Sequence, residues 1–431
     1  MWRSGFATAA GTRELGFSSV VLNAGTLVGT NLVSAGLGTL YWSIAARSFA
    51  VSEVGIVGAA VAATMLLGGL SVLGTGTLLV GELPRSSTVE RSRLVVTAVT
   101  VSGLLGAVLG ALFAIVAPVV SSDLRSFGTG LDRAAVIALT VSATAIGGVI
   151  DHALIGLLRG GLQLGRNALV AIVKLGALLV VAALPVQNAA LALYATWLIG
   201  IVASFSVIVP LAGFGRLPAI AYRPQRDIVR RFGRSALQHH ALNLALQVPG
   251  LLLPLLVTVL LSATANAYFY LASMIATFVY MIPVALSTTL YAVGAHQSSE
   301  LASKARLTLA LSLVGGICAN VALLVAARPL LGLFGRAYAD EVEWVLRVLV
   351  LGVFPATVKS HYVAVSQVKR RVSYAAMVIS IAAVGELAGA ALGATVAGLH
   401  GLTVAYVVAL CIEAIVLAPT VLGTILSKRS V

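Results

Sequence analysis

Long runs of apolar residues, each closed by a short polar or basic cluster, repeat along the whole chain. A helix needs about 20 apolar residues to cross a bilayer core ~30 Å thick. Twelve runs meet that length, at roughly 19–43, 54–80, 94–120, 134–157, 168–186, 189–212, 240–261, 266–293, 304–327, 343–366, 374–397 and 401–426. The pattern predicts an all-α polytopic membrane protein with twelve transmembrane helices, and no loop between them is long enough to hold a folded domain.

The polar punctuation then orients the spans. Twenty of the 28 Lys and Arg residues fall on alternate connections, from Arg3 and Arg13 through Arg85, Arg159, Arg223–Arg234, Lys304 and Lys369–Arg371 to Arg429. Six lie on the opposite set: Arg47, Arg125, Arg133, Arg328, Arg336 and Arg347. Positive residues flanking spans stay on the cytoplasmic side, so both termini are expected in the cytoplasm, and a miscount of one span would scramble the alternation. The longest connection is basic and lies midway, which divides the chain into a six-helix lobe at 1–215, a connector at 216–239 and a second six-helix lobe at 240–431. Within it Ile228, Phe232 and Ala236 recur every four residues among arginines, the pattern of an interfacial amphipathic helix. A weak internal likeness between 46–60 and 261–274, offset by about 212 residues, suggests that the lobes are pseudo-symmetric.

Composition agrees: 59% of residues are hydrophobic and 10% charged, too few charges for a water-exposed surface. The net charge of +14 punctuates apolar runs instead of forming one patch, which argues for lipid-facing loop anchors and against nucleic acid. Cys318 and Cys411 lie inside spans and read as small core hydrophobes without a disulfide. The first residues are too polar for a cleaved signal sequence. No phosphate-binding loop, zinc-spaced Cys/His cluster or nucleophile elbow is present, so no enzyme activity, metal or cofactor is expected.

Ionisable groups inside a bilayer mark pathways, and few are present. Asp151 and His152 fall in the fourth span, Lys174 in the fifth, Lys359 and His361 in the tenth, Glu386 in the eleventh and Glu413 in the twelfth; His239 and His240 open the seventh. Asp151 is eight residues from Arg159, and Lys174 eight from Arg166, so both lie roughly 12 Å below the cytoplasmic loops and can pair. Lys359 lies roughly 15 Å from Lys369, near the midplane. Glu413 is central as well and is its most attractive partner, with Glu386 farther out. Glycines spaced by four (25 and 29, 106 and 110, then 385, 389 and 393) suit close helix packing. Pro249, Pro254, Pro283 and Pro355 would bend the seventh, eighth and tenth spans.

The stretch 29–85 carries Ala46-Arg47, Glu53 before Gly55, Gly74 and Gly76, and Glu82 before Arg85. With 157–170 it resembles bacterial polysaccharide and O-antigen flippases, of the multidrug/oligosaccharidyl-lipid/polysaccharide exporter superfamily. That resemblance implies a bacterial inner-membrane transporter that moves an isoprenoid-diphosphate-linked sugar by alternating access. Its partners would be lipids and glycosyltransferases or a polymerase of the same pathway, and it would need no cofactor. Lys174, Lys359 and Arg47 are then the candidates for headgroup contact, and Asp151, Glu386 and Glu413 for coupling or lobe packing. The alternative is a cation-coupled multidrug antiporter of the same superfamily. A membrane glycan polymerase or ligase would need a large outer loop, which the chain lacks.

Overall fold

The computed structural model describes residues 36–127, 130–211, 234–296 and 300–426. All regular structure among them is helical. Helix α1 covers 36–48, followed by α2 (Val51–Ser71), α3 (Thr75–Glu82), α4 (Thr88–Val120), α5 (Leu131–Gly156), α6 (Gly160–Ala183) and α7 (Ala189–Leu211). The second half holds α8 (Arg234–Leu260), α9 (Ala263–His296), α10 (Leu301–Gly332), α11 (Arg336–Leu351) and α12 (Val353–Val368). A final run, Val372–Leu426, loses helical geometry at Ala397 and Gly398 and is two helices, α13 and α14. As one helix its 55 residues would extend about 80 Å, more than twice a bilayer core.

Among the described residues ten helices are long and apolar enough to cross a membrane, with α11 and α12 taken together and α13 and α14 taken together. The protein is therefore an all-α polytopic membrane protein. Apolar runs alone do not show where helices break. The second run divides at Leu73 and Gly74, both in left-handed backbone, into α2 and α3. The tenth divides at Gly352 into α11 and α12. Up to residue 233, the amphipathic segment expected around Ile228 and Phe232 lies outside the described residues, as do Gly25 and Gly29.

The helices are sorted for lipid. On α4 the large side chains Leu104, Val108, Leu112 and Ile115 face outward. Gly103, Gly106, Gly110, Ala114 and Ala117 face inward. The inward stripe lets the backbones of α4 and α5 meet: a Cβ on Gly106 would lie 2.9 Å from Ser142 Cα, and one on Gly110 2.8 Å from Ala138 Cα. Close approach through small residues is how helices gain packing contact in a solvent as apolar as Leu. Gly393 does the same against the Gly401 carbonyl, whereas Gly385 meets open space. Cys318 and Cys411 are both exposed on the helix surface, not in the core as expected.

Element starts recur at a fixed interval. Val51 and Ala263, and Gly160 and Val372, begin matching helices 212 residues apart. The turns before the latter pair match in backbone: Leu158 and Arg370, also 212 apart, both take φ of 56°. Helices of the first half pack chiefly on one another, as do those of the second, and α2 crosses between them to meet α8 and α9.

Candidate functional site

Two ends of the bundle differ in charge. The arginine-poor end carries the α1–α2, α8–α9 and α10–α11 connections; the arginine-rich end carries Arg85, Arg159 and Lys369–Arg371.

At the arginine-poor end the halves are tied together. Arg47 donates from Nε to the Leu333 carbonyl at 2.8 Å and from Nη2 to the Gly332 carbonyl at 3.1 Å. The Ala263 N–H donates to Asp123 Oδ2 at 2.8 Å, and Asn266 Nδ2 donates to the Gly55 carbonyl at 2.7 Å. Gly55 itself lies against the Ala263 backbone, because a Cβ there would be 1.7 Å from the Ala263 oxygen. Arg47 thus terminates α10 in the opposite half, a carbonyl-capping role that suits a cation at a helix C-terminus.

Toward the arginine-rich end the second half opens into a chamber of about 640 Å³ between α8, α9 and α12. Leu246, Leu253, Phe269, Ala276, Val284 and Val363 are among the side chains that make its walls mostly apolar, and Pro249 lines it too. Lys359 and Glu386 are its charged lining residues. Lys359 Nζ donates to Glu386 Oε1 at 2.6 Å and to Glu413 Oε2 at 3.1 Å. All three side chains are buried, and Glu413 Oε1 has no partner among the described residues. Three helices supply the cluster: α12 carries Lys359, α13 Glu386 and α14 Glu413. Tyr280, which donates to the Leu349 carbonyl, and Tyr406 also line the chamber. The sequence placed Lys359 and Glu413 at one depth; it set Glu386 farther out, and the structure brings it into the same cluster.

In the first half the expected Asp151–Lys174 pair does not form. Asp151 is held by Arg166 through two bonds, Nε to Oδ1 at 2.7 Å and Nη2 to Oδ2. Helix α6 begins at Gly160, so Arg166 is nearly two turns inside it and 5% exposed, not a loop anchor. Gly147 makes room for its guanidinium, since a Cβ there would stand 3.1 Å from Nη1. Lys174 turns away from both, with Nζ 3.7 Å from the Trp197 ring centroid and 4.6 Å from that of Tyr41. Ring faces are negative and hold an ammonium by cation–π attraction. Tyr41 is fixed in turn by Thr196 Oγ1 at 2.8 Å.

At the arginine-rich rim, Lys369 donates to Thr424 Oγ1 at 2.8 Å. Burial holds its ammonium below the ordinary lysine value, and the charge of Arg371 acts in the same direction. Arg306 donates twice to the Ile425 carbonyl, at 2.9 and 2.7 Å.

No family model matches the chain, and no curated protein matches it by sequence. Solved structures do resemble it. An inward-facing multidrug resistance MATE family transporter of the MOP superfamily matches with a TM-score of 0.65 at 16% identity, covering 92% of this chain and 96% of its own. The Lipid II flippase MurJ in an inward closed conformation matches with a TM-score of 0.68 at 13% identity, covering 94% and 90%. A MOP superfamily transporter from Pyrococcus furiosus, described as having a binding pocket of reverse polarity, matches with a TM-score of 0.57 at 14% identity, covering 96% and 95%. The chain has the fold shared by these transporters.

Proposed function

We propose that the protein is a cation-coupled exporter of amphipathic solutes that works by alternating access between its two halves. The observation that carries this reading is the apolar chamber ending on Lys359, Glu386 and Glu413. One ammonium and two carboxylates carry a single negative charge when ionised and none after taking up one proton. A net charge is costly where water is excluded, so proton uptake and release at this cluster would favour different exposures of the chamber. The antiporter reading has more support from the comparisons than the flippase one, since MATE structures recur among the similar folds, two of them described as multidrug resistance transporters.

The proposed arrangement has twelve spans, a lobe at 1–215, a connector at 216–239, a lobe at 240–431 and both termini in the cytoplasm of a bacterial cell. The ties at Arg47, Gly55, Asp123 and Asn266 would then close the outer side, with the chamber reached from the cytoplasm.

The test uses proteoliposomes with an imposed pH gradient and a trapped pH-sensitive dye. An amphipathic fluorescent solute should be moved as the gradient collapses. Glu413→Gln should keep solute binding and lose the coupled proton flux; undiminished, gradient-driven transport by that variant would refute the coupling role.

A second reading is favoured by the match to the Lipid II flippase, the highest TM-score among the structures described above. On it, the cargo is a lipid-linked oligosaccharide, served by glycosyltransferases or a polymerase of the same pathway. Cells lacking the protein would then accumulate lipid-linked repeat units on the inner leaflet. Normal glycan export in such cells, with lost efflux of amphipathic solutes, would favour the antiporter.

A further inference from the structure

The chamber adjoins a second cavity of different chemistry. This one, of about 390 Å³, is lined by Gln238, His239, Arg370 and Ser373, and it shares Tyr291 and Gln367 with the chamber. Among the described residues its basic lining groups are Arg370 and His239, and no acidic residue lines it. In the chamber the charged lining groups, Lys359 and Glu386, already bond to each other. A solute approaching from the arginine-rich end therefore meets positive charge first and a mostly apolar wall beyond it.

Arg370 is placed for more than its turn. Its φ of 56° is left-handed backbone, a conformation usually left to glycine because a Cβ is strained there. In the matching turn of the first half Leu158 takes the same φ, so the turn does not require a guanidinium. Two nearby bases are engaged elsewhere, Lys369 on Thr424 and Arg306 on the Ile425 carbonyl. Among the described residues Arg370 has no acidic partner.

We propose that this mouth is the headgroup subsite of the cargo, and that the cargo is a small amphipathic anion. Its apolar body would occupy the chamber, whose size suits a drug-sized molecule, while its anionic group would be held by Arg370 and His239. The proposal rests on the transport reading above and deepens it by fixing the sign of the cargo's charge. Arginine suits a phosphate or carboxylate because its donors match two oxygens at once.

The test measures binding to the full-length protein in nanodiscs by titration calorimetry, so that it does not depend on transport. The probes are octyl phosphate, ethyl phosphate, octyltrimethylammonium and inorganic phosphate. Octyl phosphate should bind saturably and more tightly than the other three. Arg370→Leu, which keeps a residue that the matching turn accepts, should weaken octyl phosphate about tenfold, the loss expected for one charge-assisted bond. Arg370→Lys should restore part of it. Partition into lipid is common to all variants and cancels between them. Equal or tighter binding of octyltrimethylammonium would overturn the proposal, as would an Arg370→Leu variant with unchanged affinity for octyl phosphate. Tight octyl phosphate binding without solute-driven proton flux would instead overturn coupled transport and leave the subsite standing.

Discussion

Replacing Gly55 by alanine should drive the two halves apart at the arginine-poor end. The added methyl would lie 1.7 Å from the Ala263 oxygen, 2.7 Å from its carbonyl carbon and 2.9 Å from Ala267 N. These are backbone atoms, so no side chain can swing clear. Overpacking of this kind costs about 1–3 kcal/mol. Separation also breaks the bond from Asn266 Nδ2 to the Gly55 carbonyl. Asn266 is fully buried, and an unmet buried polar group costs about 1–3 kcal/mol more. A penalty near the bottom of the combined range, about 2 kcal/mol, shifts the closed-to-open ratio roughly thirtyfold. Spin labels at Ser122 and Ala337, both exposed and one in each half, would read the change by pulsed dipolar spectroscopy. Cys318 and Cys411 must first become serine, because both are free and exposed. The distance distribution of Gly55→Ala should gain a longer component. Gly69→Ala is the control on the same helix, since a Cβ at Gly69 meets nothing within 4 Å. If Gly55→Ala and Gly69→Ala gave the same distribution as the parent, the contact would not be what holds this end shut.

The remaining predictions concern the buried charges and the topology. Lys359→Met leaves two buried carboxylates without their cation and should lower stability by about 3–5 kcal/mol; the triple change Lys359→Met, Glu386→Gln, Glu413→Gln should recover most of it in a thermal melt, and equal losses would argue against a shared cluster. Arg166→Lys should be destabilising despite its kept charge, because Arg166 meets Asp151 through two bonds in a fixed fork; the loss should stay below the ~3–5 kcal/mol of a fully buried pair, since the Asp151 side chain is 20% exposed. Lys174→Met should be nearly neutral in the same melt, whereas Lys174→Glu should abolish folding by setting a carboxylate against the negative faces of Trp197 and Tyr41. In intact cells, a membrane-impermeant maleimide should label a cysteine at Ser122 and not one at Ser303; the reverse would invert the proposed orientation.

How far the sequence revealed these features depended on the kind of information each needed. Spans were legible because bilayer crossing imposes length and hydrophobicity, which are local properties. Breaks inside them were less so: the kink at Ala397 and Gly398 coincides with an expected connection, but those at Leu73–Gly74 and Gly352 fall within single apolar runs. Depth arithmetic brought Lys359 and Glu413 together because rise per residue is fixed. It set Glu386 farther out and so did not show the contact, since depth along a helix ignores the reach of a lysine side chain. Arg166 was misread for a related reason. A charge near a span end looks like a loop anchor until the start of α6 at Gly160 places it inside the helix beside Asp151. Lys174 needed the faces of α1 and α7, which carry Tyr41 and Trp197 far away in sequence. Nothing local to Lys174 pointed to aromatic partners. The Asn266–Gly55 contact was equally hidden, although each residue closely follows one of the two short turns whose likeness suggested the repeat.

The interval of 212 residues gives these charges a common frame. Lys174 and Glu386 occupy matching positions in the two halves, as do the buried tyrosines Tyr194 and Tyr406. Lys359 matches Gly147, the glycine that admits the Arg166 guanidinium. The same helix frame therefore carries opposite excess charge. Fully ionised, Asp151, Arg166 and Lys174 sum to one positive charge, while Lys359, Glu386 and Glu413 sum to one negative charge. The two excesses are held by different means. The ammonium of Lys174 rests on ring faces, which stabilise a cation without taking part in proton exchange. The carboxylates have an unpartnered oxygen, Glu413 Oε1, and one proton there removes the excess without breaking either bond from Lys359. On the proposed reading, the second half changes its net charge in this way, and the same half holds the chamber. Coupling would then be local: the proton and the cargo meet in one half, while the first half presents α2 as a fixed surface for α8 and α9 to close against.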